Sequence, residues 1–179
     1  MSLTDNYFQL FDLPEQYVVD VNALRATYRD LQRKTHPDKF TNASQQEQLL
    51  AVQYAATIND AYDVLASPLK RGIYMLALKG FEIDPQQSAA MDPLFLIQQM
   101  ELREELENVE RVDDPEVALE SISEQLEGEL DALQKTFTAQ IEALDVSNAV
   151  AAQDTVKKMQ FVVKVQSEVE HLEHELLDV

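Results

Sequence analysis

The chain of 179 residues is 45% hydrophobic, contains three glycines, six prolines and no cysteine, and carries a formal net charge of −19. So little glycine and proline disfavours a turn-rich β fold, and the lack of cysteine excludes disulfides, thiolate metal sites and cysteine nucleophiles. No apolar run approaches the ~20 residues that span a bilayer. The N-terminus lacks the basic and apolar segments of a secretory signal, so we expect a cytoplasmic protein.

The negative charge is concentrated in the second half of the chain. Residues 1–80 contain eight Lys or Arg against nine Asp or Glu, whereas residues 81–179 contain six against twenty-four. A surface this acidic repels the phosphate backbone of nucleic acids and anionic membranes, so we expect neither as a partner. The simplest interpretation of the charge itself is that it keeps a helical protein in solution.

The first half of the chain has the sequence signals of a series of helices. Asp20 is a candidate N-cap for a helix that ends near Thr35, because Pro37 disfavours helical backbone in the residue before it. Residues 36–43 are predicted to form a loop. The next helix begins at a capping box formed by Ser44 and Glu47. Its apolar stripe consists of Leu50, Tyr54, Ile58, Ala61 and Leu65.

A further helix is predicted to begin at Ser67-Pro68 and to end at Gly80, a residue type that favours a helix C-terminus. Residues 81–91 show no periodicity and are predicted to be a linker. Asp92-Pro93 and Asp114-Pro115 then repeat one helix-start signal, an Asp cap followed by Pro in the first turn.

Ser147 is the candidate cap of the last helix. The apolar residues of the final two helices recur at steps of three and four, which is typical of antiparallel helices in a bundle. They are Leu119, Ile122, Leu126, Leu130, Leu133, Phe137, Ile141 and Leu144, and then Val162, Val165, Val169, Leu172 and Leu176.

The helix over residues 20–35 carries a cationic strip. Arg25, Arg29 and Arg33 are four residues apart and therefore line one face, with Lys34 beside them. The apolar stripe of this helix lies largely on another face. The helix leads directly into His36-Pro37-Asp38-Lys39-Phe40. If the following helix packs antiparallel to it, that loop lies at the tip of a hairpin.

This order of features resembles the J domain, the DnaJ-type module. The matching residues are Tyr7-Phe8 and Leu10-Phe11, the basic helix, His36-Pro37-Asp38, Ile58-Asn59-Asp60-Ala61-Tyr62, Leu65 and Ser67-Pro68. The resemblance implies an all-α fold in which the loop and the cationic face dock on a DnaK-type chaperone and stimulate its ATP hydrolysis. It assigns chaperone binding to His36, Pro37, Asp38, Arg25, Arg29, Arg33, Lys34 and Lys39.

Two groups of polar residues have an alternative interpretation. His36 and Asp38 could form a catalytic pair or bind a metal, but both roles need further partners and none is evident nearby. His171 and His174, with Glu170 and Glu175, resemble a metal-ligand cluster near the end of the last helix, where such residues are commonly solvated. We therefore predict no catalytic residue and no metal site.

The helix that begins at Asp92 has two apolar faces. Leu102, Leu106 and Val109 each lie within about 40° of Phe95 at 100° per residue, and the four residues form the expected core stripe. Leu96, Ile97 and Met100 lie nearly opposite, with Glu104 on the same side and Glu101 at its edge. A three-helix bundle buries one face of each helix, so this second cluster is a candidate partner site. The alternative is that it packs against the first domain.

The segment Phe95-Leu96-Ile97-Gln98-Gln99-Met100-Glu101-Leu102-Arg103-Glu104-Glu105-Leu106 resembles the scaffold-binding segment of the HscB family of iron–sulfur cluster co-chaperones. The segment Asp154–Phe161 and the loop residues Asp38-Lys39-Phe40 are also similar to that family, and the resemblance covers essentially the whole chain. It implies a J domain at 1–80, a linker at 81–91 and a three-helix client-binding domain at 92–179. It assigns scaffold binding to Leu96, Ile97, Met100, Glu101, Arg103, Glu104 and Phe161.

The function that this resemblance implies is delivery of the scaffold protein IscU to the DnaK-type chaperone HscA. The chain itself would bind no cofactor, because ATP and the cluster belong to its partners. Eukaryotic members of the family carry a mitochondrial presequence and often a cysteine metal site near the N-terminus. This sequence shows neither feature, so the resemblance points to the bacterial form. The alternatives are a J protein with a different client and a purely structural helical adaptor. For an enzyme, the sequence supplies no persuasive active site.

Overall fold

The computed structural model describes residues 6–41, 43–83 and 92–177, and within these ranges all regular secondary structure is helical. The predicted all-α fold is confirmed. The chain divides into two compact units, Met1–Met75 and Leu76–Val179. The predicted domain boundaries remain predictions, and residues 84–91 of the predicted linker lie outside the described residues. No described helix has both the length and the apolar composition needed to cross a membrane.

The N-terminal unit is built around a helical hairpin. Its helices are α1 (Tyr7–Leu10), α2 (Val21–Thr35), α3 (Gln45–Ala66) and the start of α4 (Pro68–Leu78). The helices α2 and α3 pack against each other, and α1 packs on α3. The large side chains that are fully buried in this unit include Phe8, Phe11, Leu24, Ile58 and Leu65.

Local capping chemistry sets where these helices begin, as predicted. The Asp20 carboxylate accepts hydrogen bonds from the backbone N–H groups of Asn22 (2.9 Å) and Ala23 (3.1 Å). The capping box at the start of α3 is reciprocal, because Ser44 Oγ accepts from Glu47 N–H at 3.3 Å and Glu47 Oε2 accepts from Ser44 N–H at 2.9 Å. Each cap satisfies N–H groups that have no partner within the helix.

Two details of the hairpin differ from the sequence predictions. Residues Pro37–Phe40, predicted as loop, form a short 3-10 helix, in which the Lys39 N–H donates to the His36 carbonyl at 3.0 Å. Proline at the start of this turn favours it because its φ is preset. Leu50, predicted to be in the apolar stripe of α3, is 39% exposed, and Ala51 is buried instead. The later positions of the predicted stripe, Ile58, Ala61 and Leu65, are buried, so the difference is confined to the first part of the helix.

A buried arginine ties the loop after α1 to the start of α4. The Arg71 side chain is 4% exposed, and its guanidinium donates to the backbone carbonyls of Leu65 (2.8 Å) and Tyr17. The guanidinium also lies 5.5 Å from the centre of the Tyr17 ring. A buried charge needs such partners, because desolvation otherwise disfavours it strongly.

Helix α4 ends at Leu78, two residues before the predicted glycine. Gly80 has a φ of +82°, in the left-handed region that glycine adopts without strain. The N–H groups of Gly80 and Phe81 donate to the carbonyls of Ala77 (3.0 Å) and Leu76 (2.9 Å). This pair of bonds satisfies two of the free carbonyls at the end of the helix.

The C-terminal unit is a three-helix bundle of α5 (Pro93–Glu107), α6 (Pro115–Glu142) and α7 (Ala149–Leu177), with a 3-10 turn at Val109–Arg111. The predicted Asp caps are confirmed, since Asp92 accepts from Leu94 N–H (3.0 Å) and Asp114 from Val117 N–H (3.2 Å). The bundle core is formed by Phe95, Leu102, Leu106, Val109, Leu119, Ile122, Leu126, Val162, Val165 and Val169.

The predicted cap of the last helix is wrong by two residues. Asp145, rather than Ser147, is the acceptor at this turn, because its Oδ1 accepts from the N–H groups of Ser147 (2.7 Å) and Asn148 (3.1 Å). The Ser147 hydroxyl also donates to Asp145 Oδ1, at 2.6 Å, and this bond, followed by the two N–H bonds, lowers the pKa of the Asp145 carboxyl. A carboxylate is a stronger acceptor than a hydroxyl, which favours Asp at this position.

Candidate functional sites

The loop residues predicted to bind a chaperone lie at the exposed tip of the α2–α3 hairpin. The side chains of His36 and Asp38 are 58% and 85% exposed, and His36 Nδ1 lies 3.5 Å from Asp38 Oδ2. His36 Nδ1 also accepts from the Asp38 N–H at 3.3 Å. A neutral imidazole that accepts at Nδ1 carries its proton on Nε2, so both that donor and the Asp38 carboxylate can engage a partner. The Pro37 side chain lies outside the described part of the structure.

Hydrogen bonds from Gln48 of α3 and from Thr41 within the loop hold this loop in place. Gln48 Nε2 donates to the carbonyls of Thr41 (3.2 Å) and Ala43 (3.1 Å), and Thr41 Oγ1 donates to the Asp38 carbonyl at 3.2 Å. Sequence analysis missed both Gln48 and Thr41, because no local signal distinguishes a side chain that bonds to a loop from one that points to solvent. Their effect is to limit the conformations that the exposed loop must lose on binding.

A groove connects the loop with the cationic strip of α2. Its lining includes Arg29, Arg33, His36, Asp38 and Lys39. The structure therefore brings these five predicted residues together. Arg25 and Lys34 are exposed on the same helix, but they do not line the groove. Arg33 also forms an ion pair with Asp30 on the helix surface, so part of its charge is compensated locally.

The groove rests on a polar network between α2 and α3. Tyr28 Oη donates to Asn59 Oδ1 at 2.9 Å, and Gln32 Nε2 lies within hydrogen-bond distance of both Tyr28 Oη (2.5 Å) and Asn59 Oδ1 (3.3 Å). Tyr28 also stacks on Tyr62 with ring centroids 4.0 Å apart. Because these contacts bridge the two helices, they fix the spacing between the cationic strip and α3.

The second candidate surface is the outward face of α5. Leu96, Ile97 and Met100, which we call the α5 patch, are 40%, 50% and 71% exposed. The opposite face of the same helix is buried, with Phe95 at 6% and Leu102 at 2%. The prediction that α5 has one buried and one exposed apolar face is confirmed. Glu101 and Glu104 are also exposed, so the patch has an acidic edge.

Arg103 and Phe161 form a separate contact between α5 and α7. The Arg103 guanidinium lies 5.0 Å from the centre of the Phe161 ring, and its Nη2 lies 3.5 Å from Glu168 Oε1. Phe161 is half-buried and meets the ring of Phe95 edge-on, with centroids 6.0 Å apart. Phe161 therefore belongs partly to the bundle core, and the stacked Arg103 covers one of its faces.

Two polar residues beneath this surface were missed by sequence analysis. Gln99 is only 2% exposed, and its Nε2 donates to both carboxylate oxygens of Glu129 on α6 at 3.1 Å. The ammonium nitrogen of Lys158 on α7 lies 3.4 Å from Asp154 Oδ2 and 3.8 Å from Asp92 Oδ2. It also lies 5.4 Å from the centre of the Phe95 ring. Both residues attach α5 to its neighbours, and they orient the helix that carries the α5 patch.

The histidines near the end of α7 do not form a metal site in the structure. His171 Nε2 lies 3.5 Å from Glu175 Oε1, and both side chains are exposed. Within the described residues, no three or more His, Asp or Glu side chains converge as metal ligands do. The contact between His171 and Glu175 has the ordinary geometry of a surface pair one helical turn apart.

Comparisons with known proteins match both units. Residues 6–74 match the family model described as the DnaJ domain, and residues 91–170 match that of the HSCB C-terminal oligomerisation domain. The chain is 44% identical over 173 residues to the protein named Co-chaperone protein HscB homolog of Vibrio cholerae, covering 96% of this chain and 99% of that protein.

Solved structures show the same similarity. The chaperone HscB from Vibrio cholerae superposes with a TM-score of 0.86 at 41% identity, covering 96% of this chain and 99% of that chain. The human co-chaperone protein HscB superposes with a TM-score of 0.86 at 29% identity, covering 97% and 84%. The similarity therefore extends through both units and not through the J domain alone.

Proposed function

The chain belongs to the HscB family of J-domain co-chaperones, and from that premise we propose that it delivers the iron–sulfur scaffold IscU to the DnaK-type chaperone HscA and stimulates the ATPase of HscA. In this proposal the chain performs no chemistry itself. ATP hydrolysis by HscA traps the client and promotes release or transfer of the cluster. The observation that carries the proposal is that one chain presents an exposed J-type loop in one unit and an exposed apolar patch in the other.

The loop surface supports the chaperone half of the proposal. The Asp38 carboxylate is 85% exposed, so it can accept hydrogen bonds from a cation or from backbone N–H groups of HscA. Arg29, Arg33 and Lys39 line the same groove. Their positive charge steers the loop toward acidic patches on the chaperone and raises the rate of encounter.

The α5 patch supports the client half of the proposal. Leu96, Ile97 and Met100 offer apolar surface that is already ordered on a helix, so little conformational entropy is lost on binding. Glu101 and Glu104 supply a charged edge, and aligned apolar residues with a polar rim are typical of protein interfaces. We assign scaffold binding to these residues, together with Arg103 and Phe161 at the adjoining α5–α7 contact.

Placing both surfaces on one chain explains how the two activities are coupled. A client bound to the C-terminal unit is tethered to the chaperone when the J domain docks. Its effective concentration at the chaperone then rises, because the second binding event is intramolecular. The expected result is that IscU and this chain together stimulate HscA more than the sum of their separate effects.

The test is the steady-state ATPase of HscA with and without this chain, and with and without IscU. We expect stimulation by the chain and synergy with IscU. His36→Gln should abolish stimulation while leaving IscU affinity unchanged, because the loop and the α5 patch belong to different units. His171→Gln, at an exposed histidine of α7, is the matched control and should behave as wild type.

The possible outcomes separate the parts of the proposal. Stimulation without any effect of IscU would retain the J-domain function and reassign the client. Full stimulation by His36→Gln would refute the role given to the loop. No stimulation by folded wild-type chain would leave only a helical adaptor.

A further inference from the structure

Met100 differs from the other methionines that the structure describes. Its side chain is 71% exposed, whereas Met75 and Met159 are 2% and 0% exposed. Met1 and Met91 lie outside the described residues. The chain contains no cysteine, so thiols do not compete for oxidants. Among the described residues, Met100 therefore combines an oxidisable sulfur with direct access to solvent.

The position of Met100 within the α5 patch is central. At 100° per residue, Leu96 lies about 40° to one side of Met100 and Ile97 about 60° to the other. Glu104 lies one turn further along, on the same side. The buried face that carries Phe95 and Leu102 points the other way. A change at the Met100 sulfur therefore alters the binding surface and leaves the core of the bundle intact.

We propose that Met100 is a reversible oxidation site, at which hydroperoxides switch off binding of the scaffold protein to the α5 patch. The inference rests on the proposed function, because it concerns the client surface assigned above. The neighbouring side chains decide the effect of oxidation. A sulfoxide oxygen is a strong hydrogen-bond acceptor, yet Leu96 and Ile97 have no donor, and the carboxylates of Glu101 and Glu104 can only accept. The guanidinium of Arg103, three residues along the helix, is already held against the Phe161 ring and Glu168.

The chemistry is balanced with a hydroperoxide as the oxidant. A lone pair of the Met100 sulfur attacks the terminal peroxide oxygen, the O–O bond breaks, and a new S–O bond forms. The sulfur is oxidised by two electrons, and the departing hydroxide or alkoxide takes the proton from the transferred oxygen and leaves as water or an alcohol. A thiol-dependent methionine sulfoxide reductase reverses the change, consuming two thiols and releasing a disulfide and water.

The expected magnitude follows from the burial of the sulfoxide in an apolar interface. An uncompensated polar group there weakens binding by at least about tenfold, corresponding to about 1.4 kcal/mol. The groove at the loop surface is lined by no methionine. Stimulation of HscA by the oxidised chain in the absence of IscU should therefore stay at its original level.

The first measurement locates the oxidation. The full chain is treated with limiting hydrogen peroxide under native conditions, and its methionine-containing peptides are analysed by mass spectrometry. We expect Met100 to be converted to sulfoxide while Met75 and Met159 remain reduced. If Met100 is oxidised no faster than these two buried residues, the inference is wrong.

The second measurement determines IscU affinity by calorimetry before and after peroxide, for wild type, Met100→Leu and Met91→Leu. Wild type and the control Met91→Leu should lose at least about tenfold, and the reductase should restore them. Met100→Leu should have the same affinity before and after treatment, because leucine keeps an apolar side chain without sulfur.

Two results would contradict the inference, and they differ in what else they overturn. Binding that survives complete oxidation of Met100, or an equal loss in Met100→Leu, would refute the switch and leave the proposed function standing. Failure of the untreated wild-type chain to bind IscU would overturn the proposed function and the switch together.

Discussion

The assignment of the α5 patch as the client surface can be tested with the double substitution Leu96→Ala and Met100→Ala. Burying such a side chain completely contributes about 1.5–3 kcal/mol. Leu96 and Met100 retain exposed fractions of 40% and 71%, so complete burial on binding would contribute about 1 kcal/mol and about 1.5 kcal/mol. Because alanine keeps part of the contact, we expect a loss of about 2 kcal/mol, or roughly 30-fold in affinity.

The assay is titration of IscU into each variant by calorimetry, with urea unfolding as a check on folding. On the same scale, the parts of Leu96 and Met100 that are already buried in the free chain contribute about 1–2 kcal/mol to folding, so the free energy of unfolding should fall by about that much. The control is Val117→Ala with Val150→Ala, at residues outside the patch that are 59% and 63% exposed. It should bind IscU with wild-type affinity.

The result that would refute this reasoning is specific. If the folded Leu96→Ala and Met100→Ala variant binds IscU within about threefold of wild type, the α5 patch is not the client surface. If the control variant loses affinity to the same extent, the effect of the patch substitutions cannot be attributed to the patch.

Three further predictions concern stability. Arg71→Met keeps the aliphatic volume but removes the donors to the Leu65 and Tyr17 carbonyls, so it should lower the free energy of unfolding of the N-terminal unit by about 2–4 kcal/mol, measured by urea titration; wild-type stability would contradict the role given to the guanidinium. Burial raises the pKa of Tyr17 to about 12, and the charge of Arg71 only partly offsets it. The unfolded phenol loses its proton near pH 10, so between pH 10 and 12 the unfolded state binds fewer protons than the folded state and stability should fall as pH rises; an equally steep fall in Tyr17→Phe would assign the effect to other groups. Gly80→Ala should destabilise by about 1–2 kcal/mol, because the φ of +82° strains any residue with a Cβ. Gly128→Ala, in the middle of α6 with open space around its Cβ position, should stabilise by about 0.5–1 kcal/mol. The pair is measured by thermal unfolding, and equal signs would contradict the conformational argument.

The sequence predicted those features that depend on residues close together in the chain. The caps at Asp20, Asp92 and Asp114 were correct, because a cap and its N–H partner are separated by two or three residues. The two faces of α5 were also correct, since winding at a constant angle per residue determines which side chains share a face. The all-helical class and the exposed loop between α2 and α3 were predicted from similarly local patterns.

Features that depend on neighbours distant in the chain could be decided only by the tertiary structure. The side of α3 that is buried, with Ala51 inside and Leu50 outside, depends on where α2 packs. The burial of Gln99 depends on Glu129 of another helix, and the half-buried position of Phe161 depends on Arg103, 58 positions earlier in the sequence. The type and spacing of a side chain do not specify these partners, because each partner lies on another helix and its position depends on how the helices pack.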